Sequence, residues 1–177
     1  MPVIVLSERS GSGFSTVGRL LAKRMGLDFF DVGAYQKSFG KGKETQRSVD
    51  VWKSMWYKKS VNEDTEKLQQ EKAAHGNIVI ASKLGVAMIE KADLKVFLTA
   101  PKEIRAQRYA QRDNIPLVEA MKELDEKESL ERESWKTMYG IDYLDQEKEA
   151  DIVIDTSSLT PETIVDKIIV ALKKKGP

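Results

Sequence analysis

The chain's 177 residues, 41% of them hydrophobic and 32% charged, are enough for one domain with a buried core. It has no cysteine and one histidine, His75, which excludes disulfides, thiolate metal sites and zinc sites built on several imidazoles. The net charge is only +1, yet residues 1–112 carry 20 Lys and Arg against 12 Asp and Glu, whereas residues 119–149 carry 5 against 11.

The first apolar run, Val3 to Leu6, reads as a strand. It is too short for a signal peptide or a membrane span, so the expected compartment is the cytosol, with no membrane partner. A helix follows over about residues 14–26, with Gly26 as its C-cap. A second strand spans Asp28 to Asp31. Residues 33–74 read as helical, with breaks near Gly40-Lys41-Gly42 and Ser60-Val61-Asn62. His75, followed by Gly76-Asn77, marks a helix end beside a turn. A third strand, Asn77 to Ala81, is nearly all apolar; a helix near 84–91 and a fourth strand, Leu94 to Leu98, come next. Pro101 fits the first turn of a helix reaching Arg112, and Pro116 opens a long helical stretch that ends near Gly140. A last strand, Asp151 to Ile154, leads through Thr160-Pro161-Glu162 into a helix ending at Lys174.

Short apolar strands alternating with helices predict a parallel sheet covered on both faces. The expectation is a single α/β domain over residues 1–177, three layers deep, with five strands. Two helical insertions, 33–74 and 113–149, interrupt the alternation. Both leave from the carboxyl edge of the strands, where such sheets bind ligands, and can close over one.

Between the first strand and the first helix lies Ser7-Glu8-Arg9-Ser10-Gly11-Ser12-Gly13-Phe14-Ser15-Thr16. This is the strand–loop–helix context of a P-loop, G-x-x-x-x-G-K-[ST]. Gly13 and Ser15 match the pattern, but Glu8 stands at the first glycine and Phe14 at the lysine. The backbone N–H groups of Gly11 to Ser15, at a helix N-terminus, still form an anion site, and Ser15 still offers magnesium a hydroxyl. Phe14 offers the β- and γ-phosphates no charge. Losing one such transition-state contact costs ~3–4 kcal/mol, roughly a hundred- to thousandfold in rate. Glu8 either repels phosphate or turns outward, and Arg9 either leans in as a substitute cation or stays on the surface.

The chain resembles the nucleoside monophosphate kinases, most closely those of the archaeal-type cytidylate kinases, from about Val3 to Leu172. The resemblance rests on Gly11-Ser12-Gly13 with Ser15-Thr16, on Phe30-Asp31-Val32-Gly33 and on Gly76 to Ile80. It continues through Ala92 to Leu98, Arg108, Arg112-Asp113, Tyr139-Gly140-Ile141-Asp142 and Asp151 to Ser157. It implies a P-loop NTPase fold, with 33–74 the monophosphate-binding insert and 113–149 the lid. The implied reaction is transfer of the ATP γ-phosphoryl to CMP or dCMP with magnesium. By the same resemblance Gly11, Ser12, Gly13, Phe14, Ser15 and Thr16 surround the ATP phosphates, and Ser15 holds the metal. Gly33, Lys37 and Lys83 meet the acceptor nucleotide, and Lys83, Arg108 and Arg112 serve catalysis, with Arg105 at the same helical spacing.

Several charged positions depart from the family pattern. Lysines, Lys37 and Lys83, stand where it has arginines, and the third strand ends Ala81-Ser82 without its acid. Two lid arginines are replaced by Lys127 and Ser134, with Arg132 displaced nearby. The chain is therefore expected to be a nucleotide-binding kinase with impaired transfer; the alternative is a pseudokinase with a regulatory role and an RNA or protein partner. Residues 33–59 carry seven Lys and Arg, interleaved with Tyr35, Phe39, Trp52, Trp56 and Tyr57, which suits a nucleic acid. The helical spacing of Val49, Trp52 and Trp56 suits packing of the insert better. Trp135 and Met138-Tyr139 are expected to anchor the lid helix.

Overall fold

The computed structural model describes residues 1–38 and 59–176. Its elements are β1 (Val3–Glu8), α1 (Phe14–Met25), β2 (Asp28–Asp31), α2 (Val32–Ser38), α3 (Lys59–His75), β3 (Ile78–Ala81) and α4 (Gly85–Met88). They continue with β4 (Leu94–Thr99), α5 (Lys102–Asp113), α6 (Leu117–Tyr139), a 3₁₀ turn (Tyr143–Asp145), α7 (Gln146–Glu149), β5 (Ile152–Asp155) and α8 (Pro161–Lys175). The five strands form one parallel sheet in the order β2-β3-β1-β4-β5.

β1 is central because it is apolar on both faces. All six of its residues are buried, and Ile4 sits opposite Val79 of β3 and Leu94 of β4. The two-residue period divides the strand between two cores. Ile4 and Leu6 pack with Val17 and Leu21 of α1 and Ile164, Val165 and Ile168 of α8. Val3 and Val5 pack on the other side, with Val86, Ile89 and Ala73. Each such side chain contributes about 1.5–3 kcal/mol on burial. α1 lies tight on its face: a Cβ on Gly18 would fall 2.7 Å from the Phe29 ring.

Most element ends fall within two residues of the sequence reading, and two differ. The helix expected over 84–91 is one turn, Gly85–Met88. Ile89 leaves it in an extended conformation and is fully buried beside Val86, so core packing draws the chain out of the helix. The break expected near Ser60-Val61-Asn62 does not occur, because α3 runs unbroken from Lys59 to His75. His75 ends that helix, its Nδ1 2.7 Å from the Glu71 carbonyl. The other expected break, and Phe39, Val49, Trp52, Trp56 and Tyr57, lie outside the described residues. No helix among the described residues is long and apolar enough to cross a membrane.

Trp135 is buried at 1% exposure and packs its ring against Tyr143, 5.1 Å between centroids, in a cluster with Leu84 and Met138. This fastens α6 over the end of β3. A buried amide completes the junction: Gln146 Nε2 donates to the carbonyls of Lys83 and Tyr143, and its Oε1 accepts from Ala87 N–H.

Candidate nucleotide site

A cavity of ≈ 750 Å³ opens at the carboxyl edge of the sheet. The loop after β1, the end of β2, Lys83 after β3, Thr156 after β5 and the helices α2, α3, α5 and α6 all line it. Gly11 to Thr16, Gly33, Lys37, Lys83, Arg108 and Arg112, the site residues read from the sequence, are all on this wall. What they do there differs from one end to the other.

The loop is wound for anion binding. Gly11 and Gly13 have φ of +88° and +102°, and Gly13 precedes the first turn of α1. Open backbone of this hand turns successive N–H groups inward. Glu8, however, neither turns outward nor stands off. The residue is 5% exposed, and Oε2 accepts from Gly13 N–H at 2.6 Å and Phe14 N–H at 2.9 Å. A carboxylate of the chain thus occupies amides that face a phosphate in a P-loop, and it caps the α1 N-terminus as a side-chain oxygen does.

Lys83 brings an ammonium to the same place. Its Nζ donates to Ser10 Oγ at 2.8 Å and to the Glu8 carbonyl at 3.3 Å, and lies 3.7 Å from Glu8 Oε1. It also stands 5.7 Å from the centroid of Phe14, whose ring is buried in the α1 core cluster. Burial, partly offset by Glu131 and Glu8, holds this ammonium below the usual lysine range. Lys83 therefore sits on the loop. Across the loop, Ser10 Oγ donates to Glu131 of α6 at 3.3 Å, and Glu131 pairs with Lys127 at 3.7 Å. Arg105, 2% exposed, donates to the Ser10 carbonyl and meets Glu128 at 2.5 Å. Arg9 turns to Glu128 at 4.0 Å and does not enter the cradle.

Arg108 also serves the scaffold. It donates to Thr156 Oγ1 at 2.8 Å, to the Thr156 carbonyl at 2.7 Å and to the Gly11 carbonyl at 3.4 Å, tying α5, β5 and the loop together. Thr156 Oγ1 in turn donates to the Ser12 carbonyl. Arg112 lies over the Tyr109 ring at 4.3 Å and grips Asp113 at 2.7 and 2.9 Å.

At the other end of the cavity two cations bear on Lys37. Burial first, then Arg112 and Lys127, hold the Lys37 ammonium below the usual lysine range, with Asp31 and Asp113 opposing. Three elements, α2, α5 and α6, thus aim positive charge at one region, where an oxyanion relieves the repulsion. Ser12 Oγ, buried and without a hydrogen-bond partner among the described residues, lines the same cavity.

Magnesium would find one protein ligand at the P-loop position, the Ser15 hydroxyl. The ion takes oxygen ligands in an octahedron, largely carboxylates, phosphates and water. Here Ser15 supplies one hydroxyl, β3 ends without an acid, and Glu8 is committed to the loop. Among the described residues no group of three or more His, Asp or Glu gathers as a metal cluster.

Sequence reasoning missed Ser10, Glu128, Glu131, Gln146, Thr156 and Glu66. Ser10 stood in the loop without a role of its own, and the only trace of Glu128 and Glu131 was the acidic balance of residues 119–149 facing a basic N-terminal half.

Residues 3–158 match the sequence profile of the cytidylate kinase-like family. The chain is 31% identical over 180 residues to a cytidylate kinase of Pyrococcus horikoshii, covering 99% of this chain and 90% of that one. It is 34% identical over 170 residues to a cytidylate kinase of Ignicoccus hospitalis, covering 95% and 97%. Among solved structures, shikimate kinase from Bacteroides thetaiotaomicron superposes with a TM-score of 0.67 at 17% identity, covering 97% of this chain and 98% of that one. Shikimate kinase from Acinetobacter baumannii, in complex with shikimate, gives 0.64 at 20% identity, covering 100% and 96%. These two establish the fold, that of the P-loop kinases. The chain belongs to the cytidylate kinase-like family, whose members support a nucleotide-binding function for it.

Proposed function

With membership of that family as the premise, we propose that this protein binds a nucleoside monophosphate, CMP or dCMP, and that its transfer of the ATP γ-phosphoryl is impaired to the point of a pseudokinase. The observation that carries this is the Glu8 carboxylate on the amides of Gly13 and Phe14. An ATP β-phosphate and this carboxylate compete for the same donors. The carboxylate is tethered and surrenders little freedom on binding, so its effective concentration is high, on the order of millimolar or more. No lysine follows Gly13 to favour the phosphate, since Phe14 occupies that position.

The monophosphate lies between Lys37, Arg112 and Lys127, with Gly33 on the wall beside it. Residues 33–74 act as the insert that receives it, and 113–149 as the lid, fastened to the loop by Glu131 and Glu128. Ser15 and the amides of Gly11 to Thr16 remain as a disarmed donor cradle. Such a protein reports on nucleotide level by binding, without consuming ATP.

The test is direct. Calorimetric titration of CMP and of magnesium-ATP is expected to show CMP binding with little or no ATP binding. Incubation with both is expected to yield CDP far below the roughly 1–100 turnovers per second usual for kinases. CDP formation in that range overturns the reading.

A further inference from the structure

One charged group on the cavity wall has no part in phosphate handling. Glu66, on α3, lines the cavity and is partly buried there. Gln69, one turn later and fully buried, donates its Nε2 to Glu66 Oε2. The other atom of that amide, Oε1, is buried with no hydrogen-bond partner among the described residues. Gln70 fastens the same helix turn to the Met88 carbonyl at 2.5 Å. A carboxyl group is thus presented to the ligand space on a rigid helix, with its two oxygens made unequal.

That inequality has a chemical meaning. Gln69 donates to Oε2, so Oε2 is held as an acceptor, and when the carboxyl is protonated the proton sits on Oε1. A carboxyl so arranged offers one donor beside one acceptor, in fixed order. We infer that Glu66, ordered by Gln69, reads the base of the bound nucleotide: Oε1–H donates to a ring nitrogen and Oε2 accepts from the exocyclic amine beside it, the edge that cytosine presents. Uracil in the same position sets its ring N–H against Oε1–H and its carbonyl against Oε2, so both contacts are lost. This deepens the proposed monophosphate site and rests on it.

The environment keeps the proton available. Burial, with the Gln69 hydrogen bond opposing, pushes the Glu66 carboxyl up to about 7. Tyr139 of α6 responds to it: burial first, then the charges of Glu66 and Glu63, push its hydroxyl up to about 12, so it stays neutral throughout. From β2 and α2 the cavity wall adds Asp31 and Lys37. The sign follows. Below the Glu66 pKa the acid pairs with cytosine. Above it the carboxylate only accepts, and it favours uracil's N–H.

The experiment is calorimetric titration of CMP, UMP and ribose 5-phosphate, at about pH 6 and about pH 8, into wild type, Glu66→Gln and Glu66→Leu. Wild type is expected to prefer CMP over UMP roughly tenfold at the lower pH, and by less at the higher. Glu66→Gln, which keeps one donor and one acceptor, retains the preference at both. Glu66→Leu binds CMP and UMP alike, with ribose 5-phosphate unchanged. Equal binding of CMP and UMP by wild type, or a preference that survives in Glu66→Leu, overturns the inference while the monophosphate site stands. No binding of any of the three overturns both.

Discussion

The two ends of one cavity treat charge in opposite ways. At the loop, every charge is answered from within the chain: Glu8 by two amides and Lys83, Glu131 by Ser10 and Lys127, Glu128 by Arg105. At the α2 end, burial first and then Arg112 and Lys127 hold the Lys37 ammonium below its usual range, and Asp31 and Asp113 oppose this only in part. An incoming anion must displace a tethered carboxylate at the first end, whereas it relieves a standing repulsion at the second. The same phosphate chemistry is therefore opposed in one place and favoured some residues away. That contrast, more than the loss of any one residue, separates binding from transfer in this chain.

The contrast breaks most visibly if the loop is rearmed. Glu8→Gly combined with Phe14→Lys is expected to raise CDP formation roughly a hundred- to thousandfold over wild type, followed by coupled assay with ATP and CMP. No gain would mean that the loop is not what separates the two ends. Next in size is the junction that holds Lys83. Gln146→Leu strands the Ala87 N–H and leaves the Lys83 and Tyr143 carbonyls without their donor. The expected loss is about 2–3 kcal/mol of stability, read from urea unfolding.

A smaller effect isolates Glu8 as a helix cap. Glu8→Gly alone is expected to lose about 1–2 kcal/mol in the absence of ligand. Pyrophosphate is expected to restore that loss in the variant and leave wild type unmoved, as measured by thermal shift. Equal stabilisation of both would show that the wild-type amides are free. The finest test lies at the other end. Lys37→Met is expected to weaken CMP binding about tenfold, or ~1.4 kcal/mol, without altering unfolding. In the free protein the Lys37 pKa is lowered, and a bound phosphate raises it again. Wild type therefore takes up protons on binding in the window between those two values, and its affinity falls as pH rises through it. Calorimetry in buffers of different ionisation enthalpy reads this directly.

Much of the donor site was legible before the fold, because a loop is local. Gly11, Gly13 and Ser15 lie between an apolar strand and a helix, and their spacing marks the turn without outside help. The roles of single charges were less legible. Arg108 and Arg112, four residues apart, are assigned to catalysis by the resemblance; in the fold the first holds Thr156 and the loop carbonyls and the second grips Asp113. Helical spacing told which side of α5 they share, and said nothing of which acceptors are already there. Lys83 read as a partner of Lys37, yet the turn after β3 carries its ammonium to Ser10.

Alternation of short apolar runs with helices was enough to settle the parallel sheet, its five strands and the place of the loop, since those depend on periods repeated along contiguous residues. Composition settled that the chain has no cysteine and one histidine, and the loop's own sequence sets Phe14 directly after Gly13 where a lysine would stand. The fate of Glu8 was decided only in three dimensions. Its carboxylate meets the amides because Gly11 and Gly13 turn the backbone with positive φ, and it is held among Lys83, 75 residues away, and Ser10, which Glu131 reaches across 121 residues. The sign of a charge is written in the sequence, but what it does depends on the counter-charge beside it, and here those neighbours arrive from distant strands and helices.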